Sequence, residues 1–333
     1  MNKFINSTED ITAELLEGYT MAFADRVKLA AENIVVRTEA KSEDKVAIVA
    51  FGGSGHEPAV SGFVGEGMLD CSVVGDIFAA PGAQRLFQGL QLMKREAGIL
   101  LLVLNHSGDV MSGNMAKQLA DRAGIKVMSI MTHDDISAGL DAVDDDRRGL
   151  AGAVVMYKVL GAAAEAGKSL EELMEIGERL NANIATLAVA MGSCTHPQNG
   201  ATITELPAGE MMIGMGQHGE AGMGGSQPLV SADATAEYMV DQLATKLGYK
   251  SGDKAVLYIN GVGSSTLMEQ LIVYRAAAKR LESMGVEVVD GYAGELLTVQ
   301  EQSGFQMISA KLDADHVDYI KNYSSNAPYW TRK

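Results

Sequence analysis

Thiols are nearly absent: Cys71 and Cys194 are the two cysteines in 333 residues, and they do not stand in a CxxC spacing. That argues against a disulfide framework and against a cysteine zinc site. Basic side chains are also in deficit. Lys and Arg number 27 against 43 Asp and Glu, a formal net charge of −16. Nucleic acids and anionic membrane surfaces are both bound through an excess of Lys and Arg, so neither partner is expected. Long apolar runs are missing. The longest lies near Ile99–Leu104, far short of the ~20 residues a membrane-crossing helix needs. The opening stretch, MNKFINSTEDITAELLEGY, has no apolar h-region and carries acids early, so no secretory signal is expected. These absences together imply a cytoplasmic protein with reduced thiols.

Apolar residues make up 47% and charged residues 21%, a globular balance. The length suits two domains, or one large α/β unit, with a sizeable core. Three short apolar runs read as buried strands: Lys45–Phe51, Gly98–Asn105 and Lys126–Met131. Helical patterns lie at Thr8–Glu17, Met111–Arg122, Gly149–Ala166 and Ser169–Leu180, the last with Ser169 as N-cap. Strands alternating with helices predict a parallel sheet built from βαβ units. Asn181–Met191 reads as another strand. The alternation restarts with Ala232–Leu247 as a helix, Lys254–Asn260 as a strand, Thr266–Met284 as a helix, and Val286–Asp290 and Phe305–Leu312 as strands. A domain boundary is expected near residues 180–190, giving domains at residues 1–183 and 184–333.

In an open α/β sheet, ligands sit beyond the carboxyl ends of the strands. The first such junction is Gly52-Gly53-Ser54-Gly55-His56-Glu57-Pro58. Its glycines let the backbone approach a ligand, and His56 adds an imidazole that titrates near neutrality. Neither a Walker A loop nor GxGxxG is present there. A tight turn with a histidine capping a helix explains it equally well. The second junction, Asn105-His106-Ser107-Gly108-Asp109, offers an acid as a base, a hydrogen-bond acceptor or an N-cap. The third, Gly261–Thr266, is most simply a helix-capping loop. His218 stands in the glycine-dense stretch Met215–Gly225, where core packing explains it poorly. No further His, Cys or Asp stands at metal-ligand spacing beside it, so no metal is expected, and a nucleophile or acid/base role is the sharper reading. His133, His196 and His316 read as loop or surface residues, and the 19 methionines as core fillers and adaptable contacts.

Four segments, GGSGHEPAVSGFVGEGMLD (Gly52–Asp70), GDIFAAP (Gly75–Pro81), NHSGDVM (Asn105–Met111) and GMGQHGEAG (Gly214–Gly222), resemble the substrate-binding subunit family of dihydroxyacetone kinase. The resemblance is collinear over nearly the whole chain. It implies that His218 adds through a ring nitrogen to the ketone carbon of dihydroxyacetone, forming a hemiaminal. It also implies that His56 is an acid/base or hydrogen-bond partner, and that Asp109 accepts the proton of the terminal hydroxyl as it attacks phosphorus. Gly53, Ser54 and Gly55, with His56, would hold substrate hydroxyls. It further implies an α/β fold of two domains, a Rossmann-like parallel sheet first and a mixed sheet second, with the active site between them. The chain would stand alone, without a nucleotide site of its own, working as a homodimer in glycerol metabolism. ADP or ATP, with Mg, would be supplied by a separate nucleotide-binding subunit. A phosphotransferase-system phosphoryl donor is expected ahead of direct use of ATP.

Departures from the family pattern cluster near the expected pocket, where Phe78 also lies. Leu104 stands where the family commonly has lysine, and His106 where it has tyrosine. Ala79-Ala80 replaces Thr-Ser, and Gln217 and Ala221 flank the His-Gly-Glu motif in place of Ile and Pro. The substrate therefore stays open between dihydroxyacetone and another short ketose such as erythrulose. A non-catalytic, dihydroxyacetone-binding coactivator is a further alternative, disfavoured by the joint presence of His56, Asp109 and His218. Lipid binding is disfavoured by the reactive histidine and the small polar loops.

Overall fold

A computed structural model describes residues 3–220, 222 and 225–332 of the chain. Ala221, Met223 and Gly224 of the glycine-dense stretch lie outside the described residues. The first sheet has six strands: β1 (Val27–Ala31), β2 (Ile34–Arg37), β3 (Ala47–Ser54), β4 (Cys71–Ile77), β5 (Ile99–Leu104) and β6 (Val127–Thr132), in the order β1-β2-β4-β3-β5-β6. The run β4-β3-β5-β6 is parallel, and an antiparallel β1–β2 hairpin extends it at one edge. The continuous apolar sequence of β5 follows from this, because every residue of a parallel strand covered on both faces is buried. Five helices accompany the sheet: α1 (Ile11–Ala22), α2 (Ala83–Leu92), α3 (Ser107–Arg122), α4 (Ala153–Glu165) and α5 (Leu170–Asn181).

The second sheet is mixed. Its strands are β7 (Ile184–Ala190), β10 (Glu210–Ile213), β11 (Ser226–Pro228), β12 (Lys254–Gly261), β13 (Glu287–Glu295) and β14 (Gly304–Leu312), in the order β11-β10-β7-β14-β12-β13. Only β12 and β13 are parallel, bridged by α7 (Leu267–Ser283). α6 (Ala232–Leu247) packs with α7 over a core that includes Met239, Leu243, Leu257 and Met307. A short ribbon joins β8 (Cys194–Thr195) to β9 (Thr202–Ile203). The chain continues through α8 (Ala314–Lys321) to a hairpin of β15 (Ser325–Ala327) and β16 (Trp330–Arg332). The expected α/β class, with a Rossmann-like parallel core and a second, mixed sheet, is what the chain adopts.

The largest core takes side chains from both sheets: Ile48 and Leu100 from the first, Tyr258 and Ile308 from the second. Helix α4 is buried in it from Ala153 to Ala164. A helix with no polar face needs such all-round cover. The terminal hairpin returns to this core. Ala327 and Trp330 are buried in it, the Tyr329 N–H donates to the Gly62 carbonyl (3.0 Å), and the Asn326 N–H to that of Glu66 (3.1 Å). Beneath the first sheet, Asp70 sits between Arg37 (2.9 Å) and Lys41 (2.8 Å) and accepts the Ile48 N–H (2.8 Å), while Arg37 also reaches Glu165 at the end of α4 (2.7 Å).

Several element boundaries differ from expectation. The first helix starts at Ile11 rather than Thr8: the Ser7 hydroxyl accepts the Glu9 N–H (3.3 Å) and closes a separate turn over residues 8–10 ahead of it. α3 begins at Ser107, so Asp109 lies inside the first turn and is not the N-cap; His106 holds that position. α4 begins at Ala153, after an irregular stretch that the Asp134 carboxylate fixes by accepting the Leu150 and Gly152 N–H groups. Asn181 closes α5, leaving β7 to start at Ile184. β13 runs on to Glu295 through glycines that lower its strand signal. The caps at Ser169 and Thr266 are as expected, each a complete capping box. His316 is buried in α8 beside the Ile176 carbonyl (3.2 Å), not a surface residue.

Candidate active site

β3 does not stop at Phe51. It continues through Gly52 and Gly53 to Ser54. A Cβ on Gly53 would stand 2.6 Å from the Ala79 backbone nitrogen, so only glycine lets β3 lie against the turn that follows β4. The polar groups just beyond it are used internally. The Ser54 hydroxyl bonds that of Thr12 (2.8 Å), the Gly55 N–H donates to the Glu57 carboxylate (3.0 Å), and the Gly55 carbonyl accepts from Gln300 (2.8 Å). His56 caps no helix. Its Nδ1 donates to the Thr298 carbonyl (2.8 Å), while the Thr298 N–H and hydroxyl donate to the carbonyls of His56 (3.0 Å) and Glu57 (2.9 Å). A carbonyl only accepts, so Nδ1 carries the proton and Nε2 keeps its lone pair. That Nε2 is buried without a partner. Burial, then the neighbouring His218, push the His56 pKa down to about 3, so the ring is neutral at physiological pH.

The second junction joins β5 to α3. Asn105 and His106 clip it to the segment preceding α4: the Asn105 amide donates to the Arg147 carbonyl (2.7 Å) and His106 Nε2 to the Gly149 carbonyl (2.8 Å). Asp109, third residue of α3, is buried and its Oδ1 has no partner. The helix N-terminus favours its charge. Burial outweighs that and raises its pKa from 3.8 to about 7.

His218 arrives from the far half of the chain, held by its backbone. Its N–H donates to Glu220 Oε2 (2.9 Å), and Glu220 Oε1 pairs with Arg148 (3.2 Å). Arg148 is fixed by Asp135 (2.7 Å), Ser137 (3.0 Å) and the Gly214 carbonyl (2.8 Å). A Cβ on Gly216 would collide with both Glu220 and Arg148, which explains the glycine there. Burial and the nearby His106 lower the His218 pKa below the ordinary imidazole range.

Ring centroids of His56 and His106 each lie 5.1 Å from that of His218, and Phe78 stands 4.8 Å from His56 and 5.7 Å from His218. His196 packs edge-on behind Phe78 at 5.4 Å. The rings of His56, His106, His218 and Phe78 bound a cavity of about 340 Å³ whose lining includes Gly53, Asp109 and Leu104, with Ala79 and Ala80 on its wall. His56, Asp109, His218, Gly53, Phe78, Leu104 and His106 thus meet at one place, whereas Ser54 and Gly55 are not among the lining residues. Sequence patterning missed Thr298, Arg148 and Asp135, which with the motif residue Glu220 position the histidines, and Leu297, which lines the cavity beside Gln217. One ring nitrogen each of His106 and His218 and a Glu220 carboxylate oxygen lie within 4.8 Å of one another, a metal-capable set that the separation along the chain had concealed. The arrangement offers neutral ring nitrogens and one carboxyl poised near neutrality around a small cavity, the inventory for nucleophilic addition and proton transfer.

The Dak1 domain model matches residues 17–328. The dihydroxyacetone-binding subunit DhaK of PTS-dependent dihydroxyacetone kinase 1 from Listeria innocua is 38% identical over 322 residues, covering 96% of this chain and 98% of that protein. The L-erythrulose kinase of Pectobacterium atrosepticum is 34% identical over 319 residues, 95% of this chain and 54% of that protein. Among solved structures, the dihydroxyacetone kinase operon co-activator Dha-DhaQ superposes with a TM-score of 0.90 at 29% identity, covering 98% of this chain and 99% of the other. No helix among the described residues is long and apolar enough to cross a membrane.

Proposed function

The chain belongs to the Dak1 domain family, and from that premise we propose that it is the substrate-binding subunit of a dihydroxyacetone kinase. In this reading the neutral His218 attacks the ketone carbon. A C–N bond forms, the carbonyl π pair moves to oxygen, and that oxygen gains a proton as the other ring nitrogen gives one up. The hemiaminal fixes the substrate, selecting ketones over glycerol and holding one terminal hydroxyl for reaction. His56 presents a bare Nε2 on a ring whose pKa is pushed down to about 3, so of the acid/base and hydrogen-bonding roles it takes the latter, accepting from a substrate hydroxyl. Asp109 takes the terminal hydroxyl's proton while that oxygen attacks phosphorus and the bond from phosphorus to the donor breaks, giving dihydroxyacetone phosphate.

The phosphoryl group comes from a separate nucleotide-binding subunit carrying ADP or ATP with Mg, recharged by a phosphotransferase-system donor. That the Listeria relative is named PTS-dependent supports this. A homodimer in the cytoplasm, serving glycerol metabolism, completes the proposal, with domains at 1–183 and 184–333 flanking the site. One observation carries it: His218, His56 and Asp109, far apart in sequence, line one cavity. Leu104, Ala79 and Ala80 make its wall more apolar than the family pattern, which keeps erythrulose as an alternative substrate, as does the erythrulose kinase relative.

A coactivator reading is favoured by the 0.90 superposition on Dha-DhaQ. A sensor needs the capturing histidine but has no use for a buried proton acceptor, so Asp109 favours catalysis. The test is intact-mass detection of a dihydroxyacetone adduct that His218→Ala abolishes, followed by triose phosphate assay with nucleotide-binding subunits and either ATP or a phosphoenolpyruvate relay. Capture without turnover under every partner and donor would leave the coactivator reading standing.

A further inference from the structure

We propose that His106, His218 and Glu220 form a binding site for a zinc-class divalent transition-metal ion, and that the ion and a carbonyl compound exclude one another at His218. Two imidazoles and one carboxylate make up the ligand set of open zinc sites that leave a fourth position free. The three ligand atoms lie within 4.8 Å of one another, and all three residues are partly exposed, so an ion can enter. Zn–N bonds of about 2.0–2.1 Å place ligand atoms roughly 3.4 Å apart. Side-chain rotation closes the remainder.

The surroundings already have the form that orients a ligating histidine. His106 donates its Nε2 proton to the Gly149 carbonyl, which leaves the Nδ1 lone pair free, the arrangement usual for metal-bound imidazole. Glu220 is held by the His218 N–H and by Arg148. The Arg148 charge opposes a cation, but Asp135 neutralises it (2.7 Å). Both imidazoles are buried enough to stay unprotonated at neutral pH, the form that ligates. A nitrogen-rich set favours zinc over magnesium, which prefers oxygen ligands, so the Mg of phosphoryl transfer does not compete. His106 stands where the family pattern commonly has tyrosine, so the common pattern lacks this ligand.

Exclusion follows from the imidazole itself. A neutral ring has one in-plane lone pair, and its other nitrogen carries the proton. Whichever nitrogen binds zinc, none remains to add to a ketone. The metal half of the proposal stands alone, while the exclusion half rests on the hemiaminal reading of the site.

The test uses the full, metal-free chain. Zinc and magnesium are titrated separately by calorimetry, cobalt(II) is followed by its visible spectrum, and the dihydroxyacetone adduct is measured by intact mass with zinc, without it, and after chelation. We expect one zinc per chain and no magnesium binding. His106→Tyr and Glu220→Gln should each weaken zinc at least about tenfold, since even residues behind a ligand cost that much. Adduct yield should fall as zinc saturates and return on chelation. Absent zinc binding, or binding unaffected by both variants while each remains folded, overturns the site. An undiminished adduct at saturating zinc overturns the exclusion. If the metal-free protein forms no adduct at all, the hemiaminal reading fails, and the zinc titration still decides the site.

Discussion

Asp109 shows most directly how one residue's surroundings set its chemistry. A carboxyl at the start of a helix is ordinarily a solvated cap. Here it is buried with a free oxygen, and burial lifts its pKa to about 7. As a base it works only when ionised. Turnover should therefore rise with pH through a midpoint near 7, and Asp109→Asn should lose that limb with a roughly 10²–10⁴-fold drop in rate. A pH-independent wild-type rate between pH 6 and 8 would refute the base role. The same group weakens the fold. A raised folded pKa means the unfolded chain releases this proton first, so the penalty sets in above pH 3.8 and is complete above about 7. Thermal melts of Asp109→Asn should exceed wild type at pH 8, with the gap shrinking toward pH 4. Asp109 and His218 were legible as motif residues. The chain Asp135–Arg148–Glu220 behind His218 was not, because it joins three segments whose proximity only the folded chain creates.

At the scale of elements, legibility followed hydrophobic pattern. β5, β7 and β12 are nearly uninterrupted apolar runs, and the sequence marked all three within a few residues. β4, CSVVGDI, mixes glycine and aspartate into its run and passed unmarked, as did the β1–β2 hairpin and α2. Those elements owe their form to the neighbours they pair with, which propensity does not record. The β3–β4 junction also yields a prediction. Gly53→Ala forces a methyl against the Ala79 backbone, which cannot swing aside as a side chain would. We expect a loss of about 1–3 kcal/mol in denaturant unfolding, together with weakened substrate capture, since the displaced turn carries Phe78. Unchanged stability and capture would show that the turn yields freely.

Over the whole molecule, the ion cluster around Asp70 ties the first sheet to the end of α4. Asp70 ended the longest motif behind the family resemblance, yet it lies among buried cations rather than in the cavity. Burial opposes its charge, but Lys41 and Arg37 outweigh burial and keep its pKa below the ordinary value. Its contribution to stability is therefore present at neutral pH and lost as pH falls through that lowered value. Asp70→Ala strands Lys41, 1% exposed, without its partner. The cost should be about 3–5 kcal/mol by urea melt at pH 7. A cost under about 1 kcal/mol would mean that Glu165 takes over the pairing.

The returning hairpin bears on how the chain is made. Ala327 and Trp330 complete the core, and the backbone of Ala327 lies where a side chain on Gly65 would have to stand. A ribosome adding about 5–20 residues per second delivers that closing strand roughly 13–50 s after Gly65 has emerged. Throughout that interval the part of the core that Ala327 and Trp330 close stays open. The nascent protein must pass through a long, apolar, half-built state, and a chaperone that shields such surfaces has its window of action there.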